Sequence, residues 1–114
     1  MQNFVLAYIT AKDKSQALSI GRALVEERLA ACVNIIDNMT SIYRWEGEIN
    51  EDSEVVLIAK TSADKFEALT ERVKELHTYT CPCVVSIPIV GGNKEYLDWL
   101  DENTKSKSFK SNSF

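Results

Sequence analysis

Between residues 77 and 84 the chain reads His-Thr-Tyr-Thr-Cys-Pro-Cys-Val, which sets its only histidine and two of its three cysteines around one proline. Imidazole and thiolate are the side chains that soft and borderline metal ions choose, and two thiols one residue apart supply two ligands from a single segment. Pro82 restricts Cys81 to extended backbone. If the whole segment is extended, Cys81 and Cys83 project to one face. His77, or a group from a neighbouring subunit, would then complete a site for Zn(II), which takes four ligands, or Cu(I), which accepts two or three. The same thiols serve otherwise as small apolar side chains at the start of a strand, or as a redox pair whose disulfide would be strained. Cys32 follows Leu-Ala-Ala at another strand start, where core packing competes with metal binding. His77 stands where a helix should end, so capping competes with ligation.

Two further groups carry charge into chemically interesting places. Lys60 closes the otherwise apolar run Val-Val-Leu-Ile-Ala-Lys, where a half-buried ammonium needs a carboxylate or a bound anion. Glu46, Glu48, Glu51, Asp52 and Glu54 crowd a turn; their oxygens suit a hard cation such as Ca(II) or Mg(II), but the spacing is not that of an EF-hand, and a solvated acidic turn accounts for them. No nucleophile elbow, phosphate-binding glycine loop or His-Glu-x-x-His pattern is present, so we expect no enzyme. The net charge of −4 argues against nucleic acid and anionic membranes as partners, since both need clustered positive charge. No apolar run approaches the roughly 20 residues of a membrane span, and Met-Gln-Asn-Phe-Val-Leu lacks the pattern of a secretory leader. Three cysteines cannot all pair within one chain, so free thiols and a cytoplasmic location are expected.

Alternating strands and helices must position these residues. Phe4 to Ile9 is a continuous apolar run, the mark of a central strand. Asp13, followed three residues on by Gln16, caps a helix predicted from Lys14 to about Leu29, with Ala17, Ile20 and Leu24 on its apolar face. Cys32 to Trp45 and Glu48 to Thr61 read as a hairpin turning at Gly47. A second helix runs from about Ala63 to Leu76, capped by Thr61 or Ser62, with Phe66, Leu69, Val73 and Leu76 as its stripe. Cys83 to Val90 reads as the last strand, and Pro88 places it at a sheet edge. A short helix follows from about Lys94 to Asn103, bearing Tyr96 and Trp99. The expected fold class is α+β, a ferredoxin-like βαββαβ sandwich with a C-terminal helix. One domain spans 1–103, and the Ser/Lys-rich stretch 104–114 reads as a disordered tail.

The hairpin strands are long for a monomer. At about fourteen residues each they reach roughly 45 Å, beyond what two helices of four turns can cover. Ile42, Tyr43, Trp45 and Ile49 would stand exposed unless another subunit packs on them, so an obligate oligomer is expected. The alternative is a bulge or break near Asn38 to Thr40 that splits the strand.

Glu27 to Ile36 (ERLAACVNII), Tyr43 to Ile49 (YRWEGEI), Leu57 to Thr61 (LIAKT), His77 to Ile89 (HTYTCPCVVSIPI) and Gly92 to Leu100 (GNKEYLDWL) together resemble the CutA family of divalent-cation tolerance proteins. The similarity covers about residues 4–103. It implies a ferredoxin-like protomer in a homotrimer built through the long hairpin, as in PII-type signalling proteins, and a role in copper and other divalent-metal tolerance with no established reaction. Cys32 matches the family's typical cysteine, and His77, Tyr79 and Pro82 match a pattern usually reading His-Pro-Tyr-Glu-x-Pro-Glu. Here Thr78 replaces the proline, Thr80 and Cys83 replace the glutamates, and Cys81 is an added thiol. The resemblance also places Lys60 with Trp45 and Tyr79 near an intersubunit cleft. The expectation is therefore a cytosolic homotrimer that binds metal ions (Cu or Zn) through Cys32, His77, Cys81 and Cys83. The alternative is a PII-like module that holds a small anion at Trp45, Lys60 and Tyr79 and signals to a partner protein.

Overall fold

A computed structural model describes residues 3–105. Strand β1 (Phe4–Ala11) leads to helix α1 (Lys14–Glu26), then to β2 (Cys32–Trp45) and β3 (Glu48–Ser62). A tight helical turn at Ala63–Lys65 opens α2 (Phe66–Leu76), and β4 (Val84–Ile89) and α3 (Lys94–Glu102) complete the chain. The four strands form one antiparallel sheet in the order β2-β3-β1-β4. The apolar β1 and β3 are central, and β4, carrying Pro88, is an edge, as the ferredoxin-like reading requires.

Local chemistry sets the element ends. Asp13 Oδ1 accepts from the Gln16 amide at 2.8 Å, and Gln16 Oε1 accepts from the Lys12 amide at 2.9 Å, so two donors at the start of α1 are satisfied reciprocally. The helix stops at Glu26, short of the predicted Leu29. Arg28 adopts φ 60°, which turns the Leu29 and Ala30 amides back to donate to the Leu24 carbonyl at 2.9 and 3.1 Å. Ser62, expected as a backbone cap, instead donates its hydroxyl to Asp64 Oδ1 at 2.6 Å. Glu46 and Gly47, at φ 51° and 82°, form a two-residue turn with both central residues left-handed, the geometry that matches the twist of a hairpin.

The core lies between one face of the sheet and two helices. Ala7, Ile9, Ala11, Val55, Leu57 and Ala59 meet Ala17, Ile20 and Leu24 of α1 and Leu69 and Val73 of α2. On the other face α3 covers only one end, where Leu100 packs with Phe4 and Ala31. Leu6, Tyr8, Ile58, Val85 and Ile87 share that second face by register, and Val85 and Ile87 are exposed. Thr104 belongs to the folded body: it is buried, and its hydroxyl donates to the Leu100 carbonyl at 3.0 Å. The tail was expected from Thr104, and its residues 106–114 lie outside the described residues.

The hairpin is an unbroken ladder containing a bulge. Ile36 pairs with Val56 and Met39 with Glu54, so Asp37 and Asn38 together oppose one residue of β3, and pairing then continues to Trp45 and Glu48. Asn38 takes the left-handed φ of 62°, and its amide donates to Asp37 Oδ1 at 2.8 Å. The irregularity expected near Asn38 exists, but it does not end the strand. Its consequence is a change of parity. Before it the even residues of β2 share a face with the even residues of β3; after it the odd residues Met39, Ser41, Tyr43 and Trp45 do.

Candidate functional site

That parity change assembles the site. Glu54, on the same face of β3 as Ile58 and Lys60, accepts from Ser41 Oγ at 2.6 Å and from Tyr79 Oη at 2.9 Å. Tyr43 donates its hydroxyl to Asp52 one pair further along, and Tyr8 donates to Met39 Sδ at 3.5 Å where the ribbon leaves the sheet. The segment after α2 crosses the end of β1 and lies against this face. Lys12, Tyr43, Trp45, Asp52, Ser53, Thr78, Tyr79, Thr80 and Cys81 line a cleft of about 550 Å³ between them.

His77 anchors the crossing. It caps α2 with its amide on the Val73 carbonyl at 2.8 Å, and it is buried. Nδ1 accepts from the Tyr79 amide at 3.1 Å, which leaves Nε2 as the protonated nitrogen donating to the Thr10 carbonyl at 2.7 Å. Both ring nitrogens are therefore occupied within the protein. The Gln16 side-chain amide adds a second tie, donating to Thr78 Oγ1 at 2.9 Å.

The electrostatics of the cleft follow from Glu54 and Asp52. Burial, and then the hydrogen bond to the Glu54 carboxylate, hold the Tyr79 phenol protonated well above the ordinary tyrosine range. The Asp52 carboxylate raises Tyr43 by the same kind of hydrogen bond. Burial pushes the Cys83 thiol up, and the negative charge of Glu54 and the neighbouring Cys81 push the same way. Cys81 is exposed and Cys83 half-buried, both ahead of β4, which begins at Val84 rather than at Cys83. The chain bends from Tyr79 to Cys81, so the segment is not one extended strand.

The expected site residues separate into three places. Trp45, Tyr79 and Cys81 line the cleft, and Cys83, half-buried, stands just ahead of β4. His77 lies behind the cleft wall. Cys32 and Lys60 are register partners at the other end of the ribbon, twelve residues along β3 from Glu48, about 40 Å at the strand rise. There the Lys60 ammonium sits 5.6 Å from the Tyr96 ring centroid, and no ion pair holds it among the described residues. One protomer thus does not bring Lys60 to Trp45 and Tyr79. Among the described residues no three His, Cys, Asp or Glu side chains are placed to hold a metal ion together, so the acidic turn forms no hard-cation cage. Glu54, Ser41 and Asp52 are the organising residues that sequence reasoning left in the turn or unremarked. Strand alternation alone puts Ser41 on the face away from Asp52 and Glu54, because the bulge reverses the alternation along β2.

Two helices on one face of a four-stranded antiparallel sheet, with an extended ribbon, define a ferredoxin-like α+β protein. The chain belongs to the CutA1 divalent ion tolerance protein family, which it matches over residues 5–103. It is 57% identical over 104 residues to the divalent-cation tolerance protein CutA of Thermus thermophilus, a match covering 91% of this chain and 99% of that protein. It is 46% identical to the mouse protein CutA over 102 residues, covering 90% of this chain and 58% of the mouse protein's length. The solved structure of the periplasmic divalent cation tolerance protein CutA of Archaeoglobus fulgidus superposes with a TM-score of 0.85 at 45% identity, covering 92% of this chain and all of that one. The family is named for tolerance, not for a reaction. Among the described residues no helix is long and apolar enough to cross a membrane.

Proposed function

We propose that this protein contributes to divalent-metal tolerance by binding metal ions, without catalysis, as a homotrimer of the cytosol. The observation that carries the reading is the pair of free thiols one residue apart between α2 and β4, Cys81 exposed and lining the cleft and Cys83 half-buried. Of the four expected ligands these two lead. His77 has no free ring nitrogen, and Cys32 stands at the far end of the ribbon. Three unpaired thiols favour a reducing compartment. Trimerisation is supported by the exposed apolar ribbon and the uncovered sheet face. The test is complementation: a bacterial strain lacking its own CutA should regain growth in elevated copper or zinc when this chain is expressed. Unchanged sensitivity to every divalent metal would sink the reading.

Lys60 favours a second reading, a PII-like module. A half-buried ammonium with an aromatic face beside it and no ion pair among the described residues suits an incoming anion, and in an assembly Lys60 of one copy would join Trp45 and Tyr79 of another. Under this reading a small phosphate-bearing anion raises the melting temperature of the wild type. Lys60→Met should lose that rise while Cys81→Ser keeps it; equal shifts in both variants exclude Lys60 as the anion's partner.

A further inference from the structure

We propose that the C-terminal segment, residues 106–114, docks on its own subunit in an apolar furrow between α1 and β2, with Phe109 as its anchor. The furrow is a cavity of about 330 Å³ walled by Leu18, Gly21 and Val25 of α1 and by Val33 and Ile35 of β2. The fold leaves it open for two reasons. β2 is the outermost strand of the sheet, so no further strand of the subunit lies beside it. Gly21 has no side chain, and a Cβ there would stand 3.4 Å from Val33 and 3.6 Å from Ile35, in space that the glycine leaves clear. Val25 is 41% exposed, an apolar side chain at the end of α1 that meets water.

Reach and composition select the occupant. A second cavity, of about 470 Å³, shares Val25 and Glu26 with the furrow and is lined also by Asn103, so the chain leaves α3 beside a continuous path into the furrow. Thr104, buried and bonded to the Leu100 carbonyl, fixes where the segment starts. Extended chain from Asn103 to Phe109 reaches roughly 20 Å, whereas α1 from Val25 back to Leu18 spans about 10 Å. Among the serines, lysines and asparagine of 106–114 the apolar side chains are Phe109 and Phe114, and Phe109 stands between Lys107 and Lys110. Those lysines meet Glu26, which lines both cavities and has no ion pair among the described residues. Exposed pairs of this kind add little, so burial of the ring carries the docking and the charges set its register. The family match ends at residue 103, so this contact lies beyond what the chain shares with the family.

Hydrogen–deuterium exchange on the full chain, read by mass spectrometry, tests the contact. Phe109→Ala should speed exchange of the amides of residues 18–26 and 33–36 about tenfold, the factor that burial of one ring leaves once the tail is ordered. Phe114→Ala should leave those amides unchanged. Val25→Lys places a cation in the furrow at an exposed position, where a helix C-terminus favours positive charge, so the fold is kept while Phe109 and its lysines are repelled. It should speed the same amides as Phe109→Ala does, and the two changes together should do no more than either alone. A chain ending at Lys105 keeps every described residue; it should match Phe109→Ala and regain protection when a synthetic peptide of residues 106–114 is added. Equal exchange in the wild type and Phe109→Ala would overturn the proposal, and so would a loss of protection in Phe114→Ala alone. Protection that survives removal of the tail and grows with protein concentration would put a second copy in the furrow, and that too would overturn it.

Discussion

At the scale of single residues, the cleft is held by hydrogen bonds whose loss is measurable. Tyr79→Phe removes the phenol that donates to Glu54 and should cost about 1 kcal/mol, read by denaturant unfolding. A shift indistinguishable from zero would mean that water replaces the phenol without loss. The same hydrogen bond has a pH signature. Because the folded protein holds the Tyr79 phenol above its ordinary value, the stability it contributes is complete below about pH 10 and drains away as pH rises from there. The wild type should therefore lose stability above about pH 10 more steeply than Tyr79→Phe, which has nothing to ionise. Thr61 makes the opposite point. Its side chain is fully buried and its hydroxyl has no partner among the described residues, so Thr61→Val should stabilise the fold by about 1 kcal/mol, the saved cost of burying that oxygen. A destabilised valine variant would reveal a partner for the hydroxyl.

At the scale of elements, the bulge in β2 is the decisive device. Asn is one of the few residues that takes the left-handed conformation easily, and Asn38 holds it while its amide bonds Asp37. Asn38→Val should lower stability by roughly 1 to 2 kcal/mol, whereas Asn38→Gly should be close to neutral. Deleting Asn38 is more informative. It restores simple alternation, which turns Tyr43 and Trp45 away from the face of Asp52 and Glu54. In the folded deletion variant Tyr43 should lose its raised titration while Tyr79, held by Glu54, keeps its own, visible in an ultraviolet titration. An unchanged tyrosine titration would show that the ribbon re-forms the bulge elsewhere.

At the scale of the whole molecule, the ribbon makes the subunit long. Its extents are 56 × 28 × 22 Å and its radius of gyration is 15.5 Å, against about 13 Å for a compact chain of this length. Ile42 and Ile49 are 68% and 67% exposed on one face of the ribbon, and Ile36, Val85 and Ile87 are exposed on the open side of the sheet. Surface of this kind is stable in water when another copy covers it. Light scattering should return a trimer mass for the wild type, and Ile42→Asp/Ile49→Asp should shift it towards monomer with a concentration-dependent melting temperature. A double variant that stays trimeric would place the contact on the open sheet face instead.

What the sequence determined by itself was the set of elements and their order. Apolar runs in β1 and β3, the Asp13 cap, Gly47 and Pro88 are local signals, and each acts through the backbone of its own few residues, so the α+β sandwich and the long hairpin could be read without coordinates. Helix ends were less legible, since Arg28 closes α1 through a left-handed turn that its residue type does not advertise. The site was legible only in part. Cys81 announced itself by type and Tyr79 through the family resemblance, but that Glu54 gathers Ser41 and Tyr79, that His77 spends both nitrogens on the fold, and that Lys60 stands far from Trp45 were decided by tertiary structure. The physical reason is one of range. A cap or a turn depends on neighbours in the chain, whereas the face a strand side chain takes depends on the register of the whole ladder, and one extra residue at Asn38 reverses it.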